Sequence, residues 1–134
     1  AGSVARALAF SPDGSELAIV SENQLIVRPL PHGDARTASS RTERIPLSDQ
    51  PTRVVDAAQV TYSSDLAWLA VTCENGDIWF YRRHDGRWIY RSVGTARIVS
   101  GEFSPDSTMF ATADVTGKVQ LFDMTASSLR EPPP

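Results

Sequence analysis

Hydrophobic side chains alternate with small or polar ones in short runs along this chain, and the first run ends at a turn signal. If residues 4–10 are extended, Leu8 and Phe10 share one face, while alanines occupy the other. Ser-Pro-Asp-Gly at 11–14 then has turn chemistry, because proline presets φ, Ser and Asp bond nearby backbone, and glycine tolerates positive φ. A second apolar run at 17–20 follows, so the pattern predicts a β-hairpin.

The same strand, turn and strand return twice more, at residues 57–71 and 98–112. The second copy has Ser64 at the position that proline occupies in the first, whereas the third keeps Ser-Pro-Asp. Four-stranded units that recur about every 40 to 45 residues are typical of propeller blades. The turns of this repeat are predicted at Pro12, Asp13, Gly14, Asp65, Pro105 and Asp106.

Further turn signals divide each copy into four strands. The predicted fold class is therefore all-β, with three four-stranded antiparallel units in one region, residues 1–134. The first strand of the second unit is predicted at 54–62, and Pro46 places the fourth strand of the first unit at a sheet edge, because proline cannot donate to a ladder. Residues 125–134 begin like a fourth strand but end in three prolines. The predicted units span about 4–49, 53–95 and 97–134.

Several short motifs carry a resemblance to a known family. They are Phe10-Ser-Pro-Asp-Gly14, Phe103-Ser-Pro-Asp106, Asn75-Gly76, Thr116-Gly117, Leu121-Phe122-Asp123 and Phe80-Tyr81-Arg82. In these motifs the chain resembles the WD-repeat family of β-propellers over almost all its length. Similar Ser-Pro-Asp-Gly blades are common in large bacterial signalling proteins of this family, so the resemblance implies a bacterial protein.

The blades are degenerate by the standard of that family. Its Trp-Asp dipeptide is reduced to Phe122-Asp123 in the third unit and to Tyr81-Arg82 in the second, and no unit has the Gly-His pair before its first strand. The hydrogen-bonded His, Ser, Asp and Trp network of well-formed members therefore cannot be assembled. We expect packing to hold the blades together.

Three blades do not close a ring, since propellers typically have about four to eight. Val4, Leu8 and Phe10 are candidates to line an exposed blade face, and monomers rarely leave a large apolar patch bare. In one hypothesis the chain is a piece of a longer propeller, as the missing start methionine and the ending within a fourth strand indicate. In the other, copies join head to tail, so that two chains make six blades and three make nine.

Composition disfavours nucleic acid and membranes as partners and indicates a reducing compartment. The 134-residue chain has a net charge of −3 and a pI of about 5.3, which provides no overall attraction for nucleic acid or an anionic membrane. Its apolar runs are shorter than the ~18 residues that a membrane span needs. Cys73 is the only cysteine and follows an apolar run, which indicates a buried side chain in a reducing compartment, with a reactive thiol as the alternative. We expect a cytoplasmic protein with no membrane partner.

Little in the sequence indicates catalysis. His32 and His84 fall in equivalent loops, where they either share a metal ion or act as turn formers beside glycine and aspartate, and we favour the turns. Asp13, Asp65 and Asp106 belong to separate turns, so they cannot flank one bond as paired acid and base carboxylates must. The sequence also lacks a Gly-x-Ser-x-Gly elbow and a phosphate-binding glycine loop. We predict no enzyme activity, no cofactor and no metal.

Residues 82–91 form the most basic and aromatic stretch of the chain. Arginine beside aromatics is enriched at protein interfaces and also grips nucleic acid, whereas the simpler interpretation packs the tryptophans between blades and keeps the outer strands solvated. A second arginine group lies in or beside the polar loop at 31–43, and loops on rigid scaffolds commonly bind partners. The candidate interaction surface comprises Arg82, Arg83, Arg87, Trp88, Tyr90, Arg91, His32, Arg36 and Arg41.

The predicted function is a non-catalytic protein-interaction or ligand-sensing module, as a WD-repeat propeller segment of a larger intracellular protein. Its expected partners are unidentified proteins, together with further blades of the parent chain or copies of itself. A self-assembling structural ring is the alternative, and a nucleic-acid-binding module ranks third. The class of function rests on the resemblance, because a fold alone does not fix function.

Overall fold

The computed structural model describes residues 4–31, 42–47, 54 and 56–125, and these residues form β-strands joined by turns. In chain order the strands are β1 (Ala5–Phe10), β2 (Glu16–Ser21), β3 (Gln24–Pro29), β4 (Glu43–Pro46), β5 (Ala57–Tyr62), β6 (Trp68–Cys73), β7 (Asp77–Arg82), β8 (Arg87–Ser92), β9 (Ile98–Phe103), β10 (Met109–Asp114) and β11 (Val119–Asp123). The predicted all-β class is confirmed.

The strands form three antiparallel sheets, each built from strands consecutive in sequence. We call them blade 1 (β1 to β4), blade 2 (β5 to β8) and blade 3 (β9 to β11). Blades 1 and 2 have four strands, and blade 3 has three within the described residues. The strand predicted to complete blade 3 falls mainly at 126–134, outside the described residues. β4, which carries Pro46, is the outermost strand of its sheet, as the missing donor predicts.

One predicted strand begins later than expected. β5 starts at Ala57 and not at residue 54, because Asp56 has a φ of 57°, which an extended strand does not allow. The Asp56 carbonyl instead accepts a hydrogen bond of 2.8 Å from the backbone N–H of Glu74.

Cross-strand register makes the three blades directly comparable. The matching pairs at the first turn are Phe10 with Leu17, Tyr62 with Leu69, and Phe103 with Phe110. Each pair joins the end of a first strand to the start of a second, with the same spacing in sequence. Positions 10, 62 and 103 are therefore equivalent, and the other positions follow from them.

The core lies between the sheets, in two separate layers. One buried cluster joins blade 1 to blade 2 and contains Leu25, Val71 and Trp79, and the other joins blade 2 to blade 3 and contains Phe80 and Phe110. All six residues of β6 are buried, because successive side chains point to opposite faces and both faces of blade 2 are covered. Blade 2 is thus the middle layer of a stack.

Candidate interaction surfaces

The outer face of blade 1 exposes a residue that its equivalents bury. Phe10 is 66% exposed, whereas Tyr62 and Phe103, at the same position in blades 2 and 3, are each 7% exposed because a preceding blade covers them. Leu8, on the same face as Phe10, is 62% exposed. An apolar face of this kind is usually covered. Blade 1 therefore presents a surface with the pattern of a blade–blade contact, and no neighbour covers it among the residues that the structure describes.

The outer face of blade 3 shows the same feature at the other end of the stack. Val119 and Leu121 pair across the ladder with Ala113 and Ala111, and they are 64% and 66% exposed. The equivalent residues of blades 1 and 2 are almost fully buried under the blade that follows: Leu25 at 0%, Val27 at 2%, Ile78 at 0% and Phe80 at 0%. Within the described ranges, blade 3 thus lacks a following blade, just as blade 1 lacks a preceding one.

The seam between blades 2 and 3 shows how closely such faces pack. The Phe80 and Phe110 rings meet edge to face with centroids 5.2 Å apart, and Phe103 lies 4.6 Å from Phe110. Gly101 permits this approach, since a Cβ there would lie 2.8 Å from the Phe110 ring and 3.1 Å from the Thr72 methyl group. The backbone carbonyl of Gly101 also accepts a 3.4 Å hydrogen bond from the hydroxyl of Thr61 in blade 2.

A charged cluster lies at one edge of the seam between blades 1 and 2. Arg83 donates to both carboxylate oxygens of Glu16, at 2.8 and 3.0 Å, and to Glu43 at 3.1 Å. Tyr62 donates to the same Glu16 carboxylate at 3.1 Å, and burial together with this carboxylate raises the pKa of Tyr62. Burial disfavours the charge of Arg83, but its bonds to Glu16 and Glu43 hold its pKa above the ordinary value. Here the preceding blade supplies the acids and the following blade the arginine.

The three repeat turns share one hydrogen-bond pattern. Asp13, Asp65 and Asp106 each accept a bond from the serine hydroxyl two residues before, at 2.7 to 2.8 Å, and from the backbone N–H two residues after. These bonds lower the pKa of all three carboxyls, to about 2 for Asp13 and Asp106. The next residue has a positive φ in every copy, although only Gly14 is a glycine. Each carboxylate is thus bonded to groups of its own turn, and a hydrogen bond with Ser107 of the next turn also lowers the pKa of Asp65.

Ser64, which departs from the repeat, joins two of these turns. Its hydroxyl donates to the Pro105 carbonyl at 2.6 Å and lies 2.8 Å from the Ser107 hydroxyl, which also accepts from the Asp65 N–H at 3.1 Å. In the sequence Ser64 is only a departure from the proline of the first turn, and this contact between turns was not predicted. The only signal was the replacement of proline by a residue with a hydrogen-bonding side chain.

Comparisons with solved structures agree with this arrangement. The WD40 repeats of RRP9 superpose with a TM-score of 0.74 over 92% of this chain and 36% of that one, at 14% identity. Hsv2 of Kluyveromyces lactis gives 0.69 over 91% and 38%, at 15% identity, and hydrazine synthase of Kuenenia stuttgartiensis gives 0.67 over 90% and 32%, at 19% identity. This chain has the fold of propeller blades.

The likeness is one of fold alone. The chain spans roughly a third of the length of each of these proteins, at 36%, 38% and 32%. No protein-family model matches the sequence, and the search of curated proteins returned no match. Within the described ranges, no helix has the length and hydrophobicity needed to cross a membrane.

The basic and aromatic stretch at 82–91 divides between the two sides of blade 2. Trp88 and Tyr90 lie toward blade 1, where Trp88 packs 4.8 Å from Tyr81 and Tyr90 is 43% exposed. Arg82, Arg87 and Arg91 alternate onto the opposite side, toward blade 3. Arg82 is held by Asp85 at 2.6 Å and lies 6.0 Å from the centre of the Trp68 ring, whereas Arg87 is exposed. The structure therefore does not gather these residues into one patch.

The remaining candidate positions, His32, Arg36 and Arg41, lie outside the described residues. His84 is exposed, and its Nδ1 lies 3.9 Å from Asp85. Among the residues that the structure describes, no group of three or more His, Cys, Asp or Glu side chains is placed to hold a metal ion. Cys73 is fully buried, and burial raises the pKa of its thiol to about 12.

Proposed function

We propose that this chain is a non-catalytic protein-interaction module, a three-blade arc of a WD-type propeller that acts in the cytoplasm within a larger assembly. The observation that carries the proposal is the pair of apolar end faces, where Phe10 and Leu121 are each 66% exposed although their equivalents are buried. Such faces gain stability when another surface covers them. A blade arc of this kind is suited to holding other protein surfaces.

The polar groups support a structural role over a catalytic one. The turn carboxylates are each engaged by their own serine and backbone N–H groups, and they belong to different blades. Arg82 and Arg83 are already paired with carboxylates, which leaves less of their charge for a phosphate-bearing ligand. The raised pKa of the buried Cys73 thiol also disfavours a nucleophilic thiolate.

A second contact surface is proposed on the rim of blade 2. Arg87 is exposed at the start of the outermost strand β8, and Tyr90 of the same strand is partly exposed on the other side of the sheet, so the two are reached from the edge that β8 forms. Aromatic and arginine side chains are enriched at the centres of protein interfaces. The loop at 31–43 is proposed as a further surface on sequence grounds.

Photo-crosslinking tests the proposal. The photoreactive residue benzoylphenylalanine would replace Phe10, Leu121 or Tyr90 in the full chain, with Pro12, an exposed turn residue, as the matched control. We expect protein crosslinks from the end-face positions, with bands absent from the control, after irradiation in cells that produce the protein. Crosslinking no stronger than the Pro12 control at all three positions would contradict an interaction module.

A further inference from the structure

The two end faces of the chain are complementary to each other. Resting on the proposed function, we propose that the missing neighbour at each end is a second copy of this chain, docked head to tail. The outer face of blade 3 of one copy would cover the outer face of blade 1 of the next. Each apolar end face would then be buried in the way that the two internal seams already show.

The apolar parts of the two faces have the sizes that this docking needs. The blade 1 face presents large side chains in adjacent rows, from the cross-strand pairs Leu8 with Ile19 and Phe10 with Leu17. The blade 3 face presents Ala111 and Ala113 on its middle strand beside Leu121 and Val119. The internal seam of blades 1 and 2 has the same arrangement, since Ala18 and Val20 of blade 1 lie in one cluster with Tyr62 and Leu69 of blade 2. Ala111 and Ala113 are no larger than Ala18 and Val20 at the equivalent positions, so they leave room for the large residues of a following blade.

The charges of the two faces are opposite. On the blade 1 face, Arg28 pairs across the ladder with Leu17, and Arg44 pairs with Ile26; both arginines are exposed. On the blade 3 face the exposed charges in register are acidic, namely Glu102 opposite Ala111 and Asp123 opposite Met109. Opposite potentials on facing surfaces favour their association and fix its direction.

In this pairing the preceding and following blades carry charges of the same signs as in the seam between blades 1 and 2. Between blades 1 and 2, the preceding blade supplies Glu16 and Glu43, and the following blade supplies Arg83. In the proposed contact, blade 3 precedes and supplies acids, and blade 1 follows and supplies arginines. A heterologous contact of this kind closes into a ring if its rotation allows. Two copies would give six blades, within the range of about four to eight that propellers use.

The test is a charge-reversal experiment on the full chain, read by light scattering after size-exclusion chromatography. Variant A carries Arg28→Glu and Arg44→Glu, so that both of its end faces are acidic. Variant B carries Ser100→Lys and Glu102→Lys, so that its blade 3 face becomes basic while Asp123 keeps its bond to the Thr125 N–H. Circular dichroism spectra and thermal melts check that both variants are folded.

We expect the wild-type chain to show twice its 14.6 kDa mass. Variants A and B should each be monomeric, and an equimolar mixture should recover the doubled mass, because each acidic face then meets a basic one. A wild-type chain that stays monomeric up to millimolar concentration would overturn the inference, as would an unchanged mass in folded A and B. Crosslinks from Phe10 and Leu121 to other proteins, together with a monomeric chain, would leave the proposed function standing and refute only the self-docking.

Discussion

The aromatic residue at the end of each first strand provides a direct test of the blade packing. Phe103 is 7% exposed, and its ring lies 4.6 Å from that of Phe110. Burying an aromatic side chain removes about 150 to 200 Å² from water, which at ~25 cal/mol per Å² corresponds to about 4 to 5 kcal/mol. We therefore expect Phe103→Ala to lower the free energy of unfolding by about 3 to 5 kcal/mol.

Phe10→Ala is the matched control for this substitution. It removes the same side chain from the equivalent position, but Phe10 is 66% exposed, so the loss should stay below about 0.5 kcal/mol in dilute, monomeric protein. Urea unfolding followed by circular dichroism measures both changes. A domain has only about 5 to 15 kcal/mol of stability, so the alanine variant could fail to fold. In that case Phe103→Leu replaces it, with an expected loss of about 1 to 2 kcal/mol. Equal losses at positions 10 and 103 would refute the assignment of inner and outer faces.

Three further predictions concern the seam, a turn and the thiol. Gly101→Ala should reduce the free energy of unfolding by about 1 to 2 kcal/mol in urea melts, because the new methyl group would meet Phe110 at 2.8 Å, whereas Ser100→Ala on the exposed side should change it by less than about 0.5 kcal/mol. Hydrogen bonds in the folded turn lower the pKa of Asp106 from its ordinary 3.8 to about 2. The ionised carboxylate therefore stabilises the fold fully at pH values above 3.8, and this contribution is lost as the pH falls toward 2. Between pH 4 and pH 2, the melting temperature of the wild type should therefore fall more steeply than that of Asp106→Asn. Parallel plots of melting temperature against pH would contradict the role of this carboxylate. Cys73 should not react with a thiol reagent at pH 8 until urea unfolds the chain, and stoichiometric labelling of the folded protein would contradict its burial.

The sequence predicted the strands well because the turn signals recur. Asn75-Gly76 and Thr116-Gly117 lie between paired strands, and both glycines have a φ of 90°, which glycine adopts without strain. The start of β5 was less predictable, since nothing in the apolar run at 54–62 indicates that Asp56 leaves the extended region. Local patterns therefore fix which segments are strands more reliably than where each strand begins.

Contacts between blades could not be predicted from local patterns. Arg83 and its partner Glu16 are 67 residues apart in sequence, so their pairing depends on how the sheets stack and not on any spacing within a strand. The same holds for Ser64, whose partners lie in the turn of the next blade. The exposure of Phe10 was expected only because three blades are too few for a ring. Alternation then placed it on an outer face.

The most direct test of the three-blade arrangement compares thiol reactivity at the equivalent positions 10, 62 and 103. Phe10→Cys, Tyr62→Cys and Phe103→Cys would each be labelled in dilute protein, with the buried Cys73 as the internal background. We predict that the thiol at position 10 reacts as fast as a free cysteine, while those at 62 and 103 react only as fast as unfolding exposes them. Equal reaction rates at all three positions would contradict the stacked-blade account.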